Sequence, residues 1–207
     1  MTDWHAIARR QQERSEGAHG DVLRGNAAYG AGLALLMAGD AEQARAWFSR
    51  AVSAYHDSWA DAAPDAWGRP IATMKARLLA GESAEEEARW GLELGAADAP
   101  TAIGHYAAAL ACLILGEDDD AHVHADAIRT RDDFPAPVGD TLAMIAAGTD
   151  AVGYVEAIEA VLESFESRDE YLEDVPVADT VIVLTELAGQ RGLHADLASP
   201  LLPTPSD

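Results

Sequence analysis

The chain has 207 residues, 49 % hydrophobic and only 6 % aromatic, which is enough apolar material for one core-bearing domain and too much for a disordered chain. Asp plus Glu number 36 against 14 Lys plus Arg, a formal net charge of -22, and every cation except Lys75 is an arginine. That balance argues against phosphate-backbone binding, which needs clustered cations, and is expected of a cytosolic protein of a salt-accumulating organism, where salt screens the self-repulsion; the alternative is a functional acidic surface that mimics nucleic acid or captures a basic partner.

In chain order the pattern predicts helices near 2–15, 20–38, 41–57, 66–80, 83–95, 99–115, 118–130, 136–147, 151–167 and 176–191, with no strand. Met1 to Gly20 lacks the apolar run of a signal peptide. Over 41–57, Ala44, Trp47, Phe48, Ala51 and Tyr55 share one face, with Glu42, Arg45, Ser49, Arg50 and Ser53 largely opposite. Ser83 and Glu86 are spaced as a capping box at the start of the fifth helix. The uncharged run 99–116 contains Pro100, Thr101, Gly104, His105 and many alanines, so it is expected to be a buried helix rather than a membrane span. Cys112, the only cysteine, falls on that helix as a small core thiol, and no intrachain disulfide is available to it. Over 151–167, Val155, Ile158, Leu162 and Phe165 form an apolar stripe beside an acidic one of Glu156, Glu159, Glu163 and Glu166. Val181 to Leu184 is the best strand candidate, but a proline tolerated in the first turn and a stop at Gly192 make 176–191 a helix. Residues 1–197 are expected to form one domain, followed by an extended proline-containing tail over 198–207.

Gly39, Gly81, Gly116 and Gly148 recur about 30 to 45 residues apart, each just ahead of an acid. This is the punctuation of helical hairpins: glycine for the left-handed residue that ends one helix, an acid for the positive end of the next. From Asn26 to His56, Gly32, Gly39, Ala44, Phe48 and Ala51 stand at the mutual spacings of a tetratricopeptide repeat, which this segment resembles. Ala28, Leu35 and His56 depart from that pattern, where an aromatic, a tyrosine and a proline are usual. A second match runs from Ile103 to Asp133 through Ala109, Gly116 and Ala121, with Ala125 in place of the bulky residue. Looser copies surround Gly81 and Gly148, where Ala88 is displaced and Gly153, Ala157 and Ala160 keep only smallness. The resemblance implies an all-α, right-handed superhelical array of antiparallel helix hairpins, about 9–10 helices in all. Its concave face would carry Asn26, Tyr29, Leu33, Leu36 and Met37 from the first repeat, and Ile103, Tyr106, Leu110, Leu113 and Ile114 from the third. So apolar a face is expected to be filled, either by the chain's own ends (the helix from Thr2 and the proline-rich tail) or by a ligand or partner. Separately, Leu184 to Pro203, with Leu187, Ala188, Gly192, Ser199, Leu202 and Pro203, resembles the ending of the all-helical immunity protein 49 family of bacterial toxin-immunity proteins.

Two clusters have residue types suited to a site. His56, Trp59 and Trp67, in a stretch also holding Trp47, Tyr55, Asp57, Asp61 and Asp65, have the chemistry to stack on an aromatic or cationic ligand. The alternative is that they anchor a long inter-repeat loop. Asp118, His122 and Asp126 fall four apart on one helical face and have metal-ligand chemistry, whereas His122 and His124 point to nearly opposite sides. The alternative is an acid-rich helix start with a solvated face behind it. His105 reads as a core or interface histidine, and no glycine-rich phosphate loop, HExxH, CxxC or GxSxG occurs, so neither catalysis nor a cofactor is implied. The leading expectation is a non-catalytic cytoplasmic adaptor or scaffold that binds a protein or peptide, with no nucleic acid and no membrane; a homo-oligomer stays open. The alternatives are a toxin-immunity protein, and a small-molecule sensor or enzyme with its site near 47–67.

Overall fold

A computed structural model describes residues 2–204. Among them are ten α-helices: α1 (Trp4–Glu16), α2 (Asp21–Met37), α3 (Ala41–Ser58), α4 (Gly68–Leu79), α5 (Glu85–Glu93), α6 (Ala102–Leu115), α7 (Asp118–Arg129), α8 (Ala136–Ala147), α9 (Ala151–Glu166) and α10 (Asp179–Gly189). No strand occurs among the described residues, and Val181 to Leu184 lie inside α10. No helix is long and apolar enough to cross a membrane.

The helix boundaries follow local chemistry. The side chains of Asp3, Asp40 and Asp150 accept the third backbone N–H of α1, α3 and α9, and Thr101 does the same for α6. Gly39, Gly81, Gly116 and Gly148 all have positive φ, between 64° and 79°, and each lies within two residues of a helix end. The capping box expected from Ser83 and Glu86 does not form. The helix begins one residue later than that pairing needs, Ala84 stands at the cap, and Ser83 Oγ accepts from Glu85 N at a long 3.4 Å.

Consecutive helices pack on one another from α1 to α10, and alternate helices also touch, α4 with α6 and α6 with α8. Small residues let the backbones approach. A Cβ built on Gly32 would lie 2.6 Å from the Phe48 ring, so α2 and α3 meet with no room for even one methyl group. On α6 and α7, Ala108, Ala109, Ala111, Ala121 and Ala125 are all fully buried.

The apolar face of α2, α4 and α8 is covered by the chain itself, mainly by a segment other than the two expected to do so. The N-terminal helix α1 packs beside α2 as one more helix of the row. The cover is the stretch after α9: a short turn at Leu172–Asp174 touches α2, and α10 lies against α4 and α8. Val175, Val177 and Ala178 are at most 3 % exposed. The turn places two consecutive non-glycine residues, Glu173 and Asp174, at φ 56° and 58°. Each costs about 1–2 kcal/mol in that region, so the turn persists because its surroundings hold it. Gln11 Nε2 donates to the Glu173 carbonyl at 2.6 Å, Arg14 pairs with the Glu173 carboxylate at 2.8 Å, and Tyr171 donates its hydroxyl to the Phe165 carbonyl at 2.8 Å. The tail takes part as well. Leu201 is 9 % exposed, and its carbonyl accepts from Ala178 N, so residues near 199–202 turn back onto the cover instead of running free. The last three residues of the expected tail, 205–207, lie outside the described residues, as does Met1.

Candidate binding cavity beside the buried lysine

Lys75, the chain's only lysine, sits on α4 with 9 % of its side chain exposed. A buried ammonium needs a partner, and α10 supplies one: Lys75 Nζ lies 2.6 Å from Asp179 Oδ2 and donates to Thr180 Oγ1 at 3.0 Å. Tyr29, from α2, donates its hydroxyl to the same Asp179 oxygen at 2.7 Å. Asp179 Oδ1 in turn accepts the Thr180 backbone N–H at 2.7 Å. Three helices are thereby tied at one polar point inside an apolar lining. Burial, followed by the Asp179 charge, pushes the Tyr29 phenol well above its ordinary range, and burial raises that of Tyr106. The Tyr106 hydroxyl is buried with no hydrogen-bond partner among the described residues.

Two cavities flank this point, and Lys75, Asp179 and Leu172 line both. The larger, about 420 Å³, is bounded also by Asn26, Tyr29, Tyr55, Arg69 and Ala72. The smaller, about 300 Å³, is bounded also by Leu33, Tyr106, Phe134, Arg168 and Thr180. In the larger cavity Tyr55 donates to Asn26 Oδ1 at 2.8 Å, which fixes the Asn26 amide with its NH₂ group unspent. Arg69 donates through Nη1 to the Ser58 carbonyl.

The residues expected on an open concave face are mostly interior. Tyr29 is 1 % exposed, Leu33 2 %, Tyr106 5 %, Leu110 0 % and Leu113 1 %, while Leu36 and Met37 are half-buried against the core. Tyr29, Leu33 and Tyr106 line the cavities. His56, Trp59 and Trp67 do come together, around Trp90 of α5. His56 packs on Trp90 with centroids 4.0 Å apart, Trp59 lies 5.6 Å from Trp90 and 6.1 Å from Trp67. Trp67 is 7 % exposed and donates to Asp65 Oδ1 at 3.2 Å, so the cluster fastens the loop between α3 and α4.

Asp118, His122 and Asp126 do not converge as ligands. Asp118 is taken by Arg191, Asp126 by Arg129, and His122 lies 3.6 Å from Asp126. No group of three or more metal-ligating side chains occurs among the described residues. His124 instead meets His105, Nδ1 to Nδ1 at 3.1 Å with ring centroids 5.4 Å apart. Each nitrogen points at the other nearly in line, the geometry of an N–H···N hydrogen bond and not of two lone pairs converging on a metal.

Sequence reasoning passed over Lys75, Asp179 and Thr180. One signal was present: a lone lysine on an apolar helical face, in a chain whose other cations are all arginine. No family model, curated protein or solved structure matches this chain.

Proposed function

We propose that the chain is a non-catalytic binding module and that its ligand is a small organic molecule held in the cavities beside Lys75. The observation that carries this reading is the pairing of concave, half-open apolar space with a few fixed polar groups at one point, the usual composition of a small-molecule site. The larger cavity reaches Tyr55 and Ala66, so it overlaps the stretch 47–67. The seating of Gly32 on Phe48 supports a tetratricopeptide-like arrangement of the hairpins. The charge of -22 supports a working environment rich in salt. An adaptor using Tyr29, Leu33, Tyr106, Leu110 and Leu113 would first have to lift the segment 171–178 and α10, exposing Val175, Val177 and Ala178 and breaking the Lys75–Asp179 pair.

The test is a ligand-detected NMR screen of a fragment library against the full chain and against Ala72→Phe, which places a ring in the larger cavity. Hits should compete for one site and disappear in the variant while its melting temperature stays near that of the unaltered chain. An empty screen, or hits indifferent to Ala72→Phe, would overturn the reading.

A further inference from the structure

Resting on that reading, we infer that the larger cavity takes a small monocarboxylate with an apolar body, its anionic head received by Arg69, Lys75 and Asn26. The charged hydrogen-bonding capacity left over in the cavity is of one kind. Asp179 is the only acid in the lining, and its two oxygens already accept from Tyr29, Lys75 and the Thr180 N–H. The Tyr29 and Tyr55 hydroxyls are committed as donors to Asp179 and Asn26. Beyond the lone pairs of those oxygens, what remains is donor capacity, most of it charged: the Asn26 NH₂, the third ammonium proton of Lys75, and the guanidinium N–H groups of Arg69 beyond the one on Ser58. A site whose free charged groups are donors favours an acceptor, and it offers a ligand cation only neutral phenol and amide oxygens.

Charge sharpens the choice from acceptor to anion. Arg69 and Lys75 against Asp179 leave the lining one positive charge in excess, inside a chain whose net charge is -22. Arg69 has no carboxylate partner among the described residues. The acid next along the cover, Glu173, is already held by Arg14 at 2.8 Å. The locally positive lining therefore runs against the charge of the chain as a whole, and a carboxylate meeting a guanidinium gains a charge-assisted, planar pair. The rest of the lining, including Ile71, Ala72 and Leu172, suits a hydrocarbon or aryl body. At a liquid-water share of about 30 Å³ per molecule, the space corresponds to about a dozen non-hydrogen atoms.

The experiment titrates three compounds of nearly equal shape into the full chain: 3-phenylpropanoate, 3-phenylpropanamide and 3-phenylpropylamine. The acid should bind about tenfold tighter than the amide, the difference expected of a charge-assisted over a neutral hydrogen bond, and the amine should show no saturable binding. Arg69 is only partly buried, so Arg69→Gln should fold with a melting temperature near that of the unaltered chain, lower acid affinity about tenfold, and leave amide affinity in place. Equal binding of acid and amide, or an acid preference that survives Arg69→Gln, refutes the assignment of a carboxylate while the cavity remains a binding site. Failure of all three compounds alongside library hits lost in Ala72→Phe has the same meaning. Failure of all three alongside an empty library screen removes the assignment and the binding reading together. The compound series on the unaltered chain decides the matter even if the variant misfolds.

Discussion

Replacing Gly32 with alanine adds a single methyl group, and the structure fixes where it must go. The new Cβ would stand 2.6 Å from both Cδ1 and Cε1 of Phe48 and 3.0 Å from Cγ. Carbon atoms rest at about 3.5–4.0 Å, so roughly 1 Å must open between helix α2 and a ring. That ring has no freedom to swing: Phe48 is 0 % exposed and packs edge-on against Tyr29 with centroids 5.6 Å apart. Overpacking of this kind costs about 1–3 kcal/mol, and a ring face meeting backbone belongs near the top of that range. Alanine returns about 1 kcal/mol through its better helix propensity, leaving a net loss of about 2 kcal/mol. For a chain of this size that corresponds to a fall in Tm of about 4–8 °C. Thermal and urea melts followed by circular dichroism would read it. Phe48→Leu should cost stability alone yet accommodate the new methyl, so Gly32→Ala should be nearly neutral in that background. Gly189→Ala, where an added Cβ meets nothing within 4 Å, is the control and should be neutral or slightly stabilising. An unchanged or raised Tm for Gly32→Ala, or equal costs in both backgrounds, would refute the close crossing of α2 and α3.

Lys75→Met strands Asp179 inside the protein, and breaking a buried pair in this way costs about 3–5 kcal/mol. Lys75→Met combined with Asp179→Leu should recover most of that in denaturant melts, and a double variant no better than the single would mean the pair is not buried. His105 and His124 are both held below their ordinary pKa, foremost by burial, with Arg131 acting on His105 and His105 on His124. Their native pKa values lie below the unfolded one, so the unfolded chain binds protons first. Stability is therefore full above about pH 6.5 and is lost as pH falls through the lowered native values. Urea midpoints from pH 7.5 to 5 should show that loss, and His105→Ala should shrink it. Burial, assisted by Glu117 and Asp120, pushes the Cys112 thiol up to about 11. Its reaction with a disulfide reagent at pH 8 should therefore follow global unfolding, and rapid labelling of the native chain would show an open α6.

The helices were legible because what makes them is local. Aspartate caps, positive-φ glycines and apolar stripes operate within a few residues, so nearly all ten elements were placed to within a few residues from the pattern alone. The errors came where local signals were weak. Residues 176–178 read as helix because proline is tolerated in a first turn, yet the tertiary cover draws Val175 and Val177 into the core, and α10 starts at Asp179. The left-handed turn at Glu173 and Asp174 left no trace, since no glycine marks it and contacts from Gln11 and Arg14 impose it.

By itself, then, the amino-acid order settled the helical class, the corner glycines and the small-residue crossings, because each is governed by neighbours along the chain. Only the tertiary structure decided what fills the inner wall. Lys75 and Thr180 are 105 residues apart, and Tyr29 and Asp179 are 150 apart. Their meeting depends on α10 packing against α4 and α8 and on the turn at Leu172–Asp174 reaching α2. Periodicity reports which face of a helix is buried, but not which distant charge that face will meet once water has been excluded.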